Sequence, residues 1–159
     1  MRLTRVGIAI LIAFGAAGCG FNSSPADGLR FQAPPGWRPS PGILGFMQFW
    51  RPPAGDREIL MLFKSPRPIK ENDIFSDPSV NGSLKDLTIE RRERITICGS
   101  QPAAYFEARG KSSHGDQTRA EMVMANLNGA TYFAMYARPL GLQPNPDAEG
   151  ALRELCAKT

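Results

Sequence analysis

The chain has 159 residues, enough for one domain with a full hydrophobic core and too few to expect two. Its formal charge is +4, from 19 Lys+Arg against 15 Asp+Glu. Two of those arginines lie in the first five residues, so the rest carries 17 against 15, a balance that gives no electrostatic case for a nucleic-acid partner.

Arg2 and Arg5 precede an apolar run from Val6 to Ala17, and Ala16-Ala17-Gly18 leads directly into Cys19. Charged head, apolar middle and small-residue junction make a secretory signal peptide over residues 1–18. About a dozen apolar residues at 1.5 Å each reach roughly 18 Å, short of the ~30 Å hydrocarbon core, which argues against a membrane-spanning helix. A cysteine directly after the junction resembles a bacterial lipobox, which implies lipidation of Cys19 as the new N-terminus. Ala16 stands where that motif more often has leucine. Residues 19–28 are small and polar and read as a lipidated tether that holds a domain of residues 29–159 close to a membrane. The expected location is the bacterial cell envelope with the domain facing the periplasm. Gly20 after the cysteine points to the outer membrane if the organism is Gram-negative.

Leu29 to Ala33 alternates apolar and polar and stops at Pro34-Pro35-Gly36-Trp37, which predicts a short strand, a turn, and Trp37 packing back on the core. Phe46–Trp50 predicts a second strand and Glu58–Phe63 a third, whose unbroken apolar run requires cover on both faces. Between Ser65 and Ser83 three prolines and a glycine leave room only for a short helix around Glu71–Phe75. Leu87–Ile97 is read as a strand, because Leu87, Ile89, Ile95 and Ile97 share one parity. Ala103–Arg109 is the next strand, followed by a loop from Gly110 to Asp116. Arg119–Asn126 and Thr131–Arg138 flank Asn128-Gly129, a strong hairpin signal because both residues accept positive φ. The last element is a helix with Asn145 as N-cap and Pro146 first, whose apolar stripe is Ala148, Ala151, Leu152, Leu155 and Cys156, with Lys158 near its end. The fold class is therefore α+β: a mainly antiparallel sheet of about six strands with a C-terminal helix packed on it.

The opening Phe31-Gln32-Ala33-Pro34-Pro35-Gly36-Trp37, the Cys98-Gly99-Ser100-Gln101-Pro102-Ala103 turn, the closing hairpin and the terminal helix resemble the Mog1/PsbP-type sandwich. That resemblance covers Leu29 to Thr159 and implies an accessory, assembly or ligand-binding module. It also implies helices on both faces, whereas the sequence before Leu84 offers little helix for one of them.

Chemistry is sparse. His114 is the single histidine, in a Ser-Ser-His-Gly-Asp loop whose neighbouring residues cannot assemble a triad, since triad members converge from separate elements. No zinc set, phosphate-binding glycine loop or cofactor motif is present, so no metal and no cofactor are expected. Cys98 and Cys156 read as a disulfide in an oxidising compartment once Cys19 is set aside for lipid. Arg91, Arg92, Arg94, Arg109, Lys111 and Arg119 alternate with Glu90, Glu93, Glu107 and Glu121, which predicts a solvated, self-compensating surface. Two functions remain: a non-catalytic envelope lipoprotein binding an unknown envelope protein or small ligand, or a periplasmic hydrolase or thiol enzyme using His114 or Cys98. The first is preferred, with no catalytic residue assigned.

Overall fold

A computed structural model describes residues 29–41, 46–53, 57–76 and 84–157. The residues read as a signal peptide and a lipidated tether, Cys19 among them, lie outside the described residues. Seven antiparallel strands form the central sheet in the order β2-β3-β4-β8-β7-β6-β5. They are β2 Arg38–Pro41, β3 Phe46–Arg51, β4 Ile59–Ser65, β5 Lys85–Ile97, β6 Gln101–Lys111, β7 Gln117–Leu127 and β8 Ala130–Pro139. A separate two-stranded ribbon pairs β1 Leu29–Arg30 with β9 Cys156–Ala157. The expected architecture is present, with one more strand in the sheet than the six foreseen.

Where prediction and structure part, local chemistry explains it. The first strand stops at Arg30 and leaves the main sheet to meet the C-terminus. Arg38–Pro41, unforeseen because of Pro39 and Pro41, is an edge strand, where a missing N–H need not break a ladder. In β5 the single parity fails: bulges between Lys85 and Thr88 and between Ile89 and Arg91 each put the strand out of step. Leu87 consequently packs on one face of the sheet and Ile95 and Ile97 on the other, while Ile89 is left 42% exposed. Asn128 and Gly129 do take positive φ, 50° and 78°, in the β7–β8 hairpin.

The helix α1 runs only from Pro146 to Leu152, capped by the Asn145 side chain, which accepts from the Asp147 and Ala148 N–H groups. Leu155 and Cys156 are not helical. Short-range bonds from Arg153 N–H to Gly150 and from Glu154 N–H to Ala151 tighten the exit, and Cys156 enters β9. Lys158 lies outside the described residues.

Two apolar layers result. Helix α1, Leu155 and Trp37 cover one face through Leu60, Leu62, Val123, Ala134 and Tyr136. The other face, Met61, Phe63, Met122, Phe133 and Met135, is covered by Ile69, Ile74 and Leu84. That second cover holds a single 3-10 turn, Ile74–Ser76, in place of the helix expected at Glu71–Phe75. Thr131, fully buried, fastens it: its hydroxyl accepts from the Ile69 N–H at 2.7 Å and lies 3.2 Å from the Arg67 carbonyl. Proline-rich chain can thus do a helix's work when a buried side chain satisfies its backbone. Among the described residues no helix is long and apolar enough to cross a membrane.

Candidate functional site

Side chains alternate across a sheet with period two, so the rows under α1 can be followed strand by strand. On β7 the row reads Arg119, Glu121, Val123, Ala125; on β6 it reads Tyr105, Glu107, Arg109; on β8 it reads Ala134, Tyr136, Arg138. Helix α1 has seven residues and covers the apolar end of these rows. Alongside the helix the rows turn charged, and a groove of about 510 Å³ opens between the sheet and the segment Pro144–Arg153.

At the floor of this groove lies an ion pair. Arg138 Nη2 is 2.9 Å from Glu121 Oε1, with side chains 5% and 7% exposed. The Tyr105 hydroxyl is 3.2 Å from both Glu121 Oε2 and Glu107 Oε1, so one O–H is shared between two carboxylates. Burial raises the Glu121 pKa, and the nearby Glu149 carboxylate adds to it, against the opposing pull of Arg138. Burial also raises the Tyr105 pKa, reinforced by Glu121 and Glu107, which keeps the phenol protonated. Outward from this centre Arg91 lies 3.1 Å from Glu107 and 2.9 Å from Glu93, and its guanidinium sits 5.8 Å from the Tyr105 ring. Arg119 pairs with Glu90, which also receives Arg109; the Arg119 bond is the main cause of a lowered Glu90 pKa.

Beside this groove Tyr136 donates to Glu58 and accepts the Asn145 N–H at 3.0 Å, tying the helix cap to β8. The result is a rigid lattice of alternating donors and acceptors, with Glu149 and Arg153 on the helical rim. Such a surface can recognise a polar partner; its reactive groups are the Tyr105 phenol and the Glu107 and Glu121 carboxylates.

The residues singled out from sequence fall in three places. Cys98 and Cys156 are joined by a disulfide with Cα atoms 5.8 Å apart, within the usual range. The bond ties the β5–β6 turn to β9, not to the helix as the apolar stripe suggested. Gln101 reinforces it: its side-chain amide donates to the Leu155 carbonyl at 2.9 Å and accepts from the Ala157 N–H at 3.0 Å.

His114 sits exposed in the β6–β7 loop, and among the described residues its ring has no hydrogen-bond partner. The Ser112 hydroxyl accepts from the backbone N–H groups of His114 and Asp116, both at 3.2 Å, so it builds the turn. His114 does rim a second cavity of about 640 Å³, with Ile59, Met61, Leu84 and Leu140 inside and Arg57 at its edge. The charged residues of β5 to β7 do compensate one another, but the solvated surface foreseen for all of them is corrected at Glu121, which is buried. Among the described residues no group of three metal-ligating side chains gathers.

Sequence reasoning missed Tyr105 and Arg138 as parts of a site. The available signal was Glu121 standing between Ala120 and Met122-Val123 in a strand otherwise apolar through Ala125.

No known sequence family matches the chain, and no curated protein does. Solved structures do. Cyanobacterial PsbP (CyanoP) from Synechocystis sp. PCC 6803 aligns with a TM-score of 0.53 at 14% identity, over 71% of this chain and 75% of that one. A Bacteroides thetaiotaomicron protein gives 0.54 at 14%, covering 81% of this chain and 44% of the other. PA94 from Pseudomonas aeruginosa, a protein of unknown function described as a putative regulator, gives 0.50 at 12%, over 77% and 98%. At such identities the likeness is one of fold: the sheet with its C-terminal helix is PsbP-like.

Proposed function

We propose that this chain is a bacterial envelope lipoprotein, anchored by lipid on Cys19 with its domain facing the periplasm, and that it acts as a non-catalytic accessory or binding module. The observation that carries the binding role is the groove floored by Tyr105, Glu121 and Arg138. Its central groups pair with one another, Arg138 with Glu121 and the Tyr105 hydroxyl between Glu121 and Glu107, which supports a polar recognition surface; the buried Nε atoms of Arg119 and Arg138 have no partner among the described residues. A PsbP-like fold is compatible with that role and does not by itself assign it. The partner is an envelope protein or a small polar ligand that meets the rim residues Glu149 and Arg153.

Anchoring rests on the Ala-Gly-Cys junction. One acyl chain binds a membrane only marginally, so stable attachment takes the two or three chains of a processed lipoprotein. Gly20 directs it to the outer membrane in a Gram-negative organism.

The hydrolase or thiol-enzyme alternative has weaker support: the Cys98 thiol is consumed in a disulfide and the Ser112 hydroxyl in a turn. Its one favourable observation is His114 at the rim of the second cavity. The deciding experiment places a photoreactive amino acid at Arg153 or, as a control, at Lys64 in the full chain, and irradiates intact envelopes. The proposal expects a discrete adduct from position 153 alone, persisting in His114→Ala. Adducts equal from both positions would contradict it, as would a biological activity that His114→Ala abolishes without unfolding the chain.

A further inference from the structure

Among the described residues strand β5 closes one side of the seven-stranded sheet with β6 as its only neighbour, so along its 13 residues the other edge has no described strand beside it. A long free edge is a template for another strand, and proteins commonly guard such edges with charge and bulges. Here the guard is the run Glu90-Arg91-Arg92-Glu93-Arg94. A guard of one sign repels every copy of itself. This run has mixed signs, and about Arg92 its immediate flanks are opposite: Arg91 on one side, Glu93 on the other.

We propose that β5 pairs antiparallel with β5 of a second copy about a two-fold axis at Arg92, joining two seven-stranded sheets into one. An interface of this kind uses the same patch on both subunits. In this register Arg91 of each copy lies opposite Glu93 of the other, twice by symmetry. Both residues are on the face under α1, since they pair with Glu107 and Tyr105 on β6. Arg92 meets its own counterpart on the opposite face, where Glu71 stands 3.6 Å from Arg92 and 3.5 Å from Arg94, so a carboxylate accompanies the like charges.

Past Arg91 the bulge puts Glu90 out of step, and the faces match again one residue along. Arg94 then lies opposite Ile89, Ile95 opposite Thr88, and Thr96 opposite Leu87. Ile89, 42% exposed in the single copy, comes under the aliphatic stem of Arg94, whose side chain is 86% exposed. Arg91 opposite Glu93 on both sides of the axis favours this register, and Arg92 opposite Arg92 is its like-charge contact, which the Glu71 carboxylate of each copy offsets.

Directly opposed residues in an antiparallel pair have Cα atoms roughly 4.5 to 5.5 Å apart, a separation a disulfide can bridge. The test uses the full chain in its envelope membranes, carrying Arg92→Cys or, on the far edge strand β2, Arg38→Cys. Under mild oxidation and a non-reducing gel, Arg92→Cys is expected to give a covalent dimer and Arg38→Cys to remain monomeric. Equal crosslinking of the two, or none from Arg92→Cys, would overturn the proposal. Light scattering of the detergent-solubilised full chain decides independently should Arg92→Cys not fold. Wild type is expected to carry two chains per particle, and Glu93→Arg, which sets arginines opposite each other at both symmetric positions, to raise the dissociation constant about tenfold. A monomeric wild type, or a Glu93→Arg chain that associates as well as wild type, would refute it.

Discussion

Arg138 is the residue on which the groove depends. A buried guanidinium beside a buried carboxylate is costly to assemble and costlier to break, because removing one partner strands the other charge. Arg138→Met is therefore expected to lower stability by about 3 kcal/mol or more at neutral pH, measured by urea denaturation. The pH dependence has a definite sign. Glu121 already has a raised folded-state pKa, and loss of Arg138 raises it further. A carboxyl whose folded pKa exceeds its unfolded value favours the fold at pH below the unfolded value and loses that contribution as pH rises through the folded value. The variant should thus approach wild-type stability under acid conditions and fall away as the pH rises, and a pH-independent deficit would contradict the ionised pair. The disulfide belongs to the same scale. Cys98 and Cys156 are separated by 58 positions, and closing such a loop is worth about 4 kcal/mol in the chain-entropy model. The double Cys→Ala chain should lose a large part of that, and a denaturation midpoint equal to wild type would show the bond to be thermodynamically idle.

Elements were legible where the pattern is local. The apolar run at Leu60–Phe63, the Asn128-Gly129 turn and the Asn145-Pro146 helix start each carry their own signal, and all three form. What escaped the sequence is set by contacts between distant segments. The bulges in β5 lie in its pairing with β6, and beside the one between Lys85 and Thr88 the strands approach closely: a Cβ on Gly110 would lie 2.9 Å from the Lys85 carbonyl oxygen. Gly110→Ala should push the two strands apart and cost about 1 to 3 kcal/mol, read from the thermal or urea transition, and a neutral substitution would count against that close approach. Helix α1 ended early for a similar reason. The stripe runs on to Leu155 and Cys156, but the disulfide, the β1 pairing and Gln101 draw Cys156 into an extended conformation. The groove was half legible. Its charges were visible as an alternating surface, but the burial of Glu121 among Tyr105, Arg138 and the segment Pro144–Arg153 is a contact between distant elements, which no local pattern records.

At the scale of the molecule, two covers of unequal kind enclose one sheet, and the groove proposed for recognition lies between that sheet and the helical cover. On the proposed function the sheet is the frame of a module held at a membrane by its N-terminus, with the groove and the β5 edge offered to partners. The proposed location depends on Cys19. Cys19→Ala should block processing and release or mislocalise the domain, read by fractionating envelopes. The most direct measurement is mass spectrometry of the mature N-terminus of the native protein. The chain is expected to begin at Cys19 and to carry diacylglyceryl on sulfur; an N-terminus at any other residue, or an unmodified Cys19, would contradict the proposed anchoring.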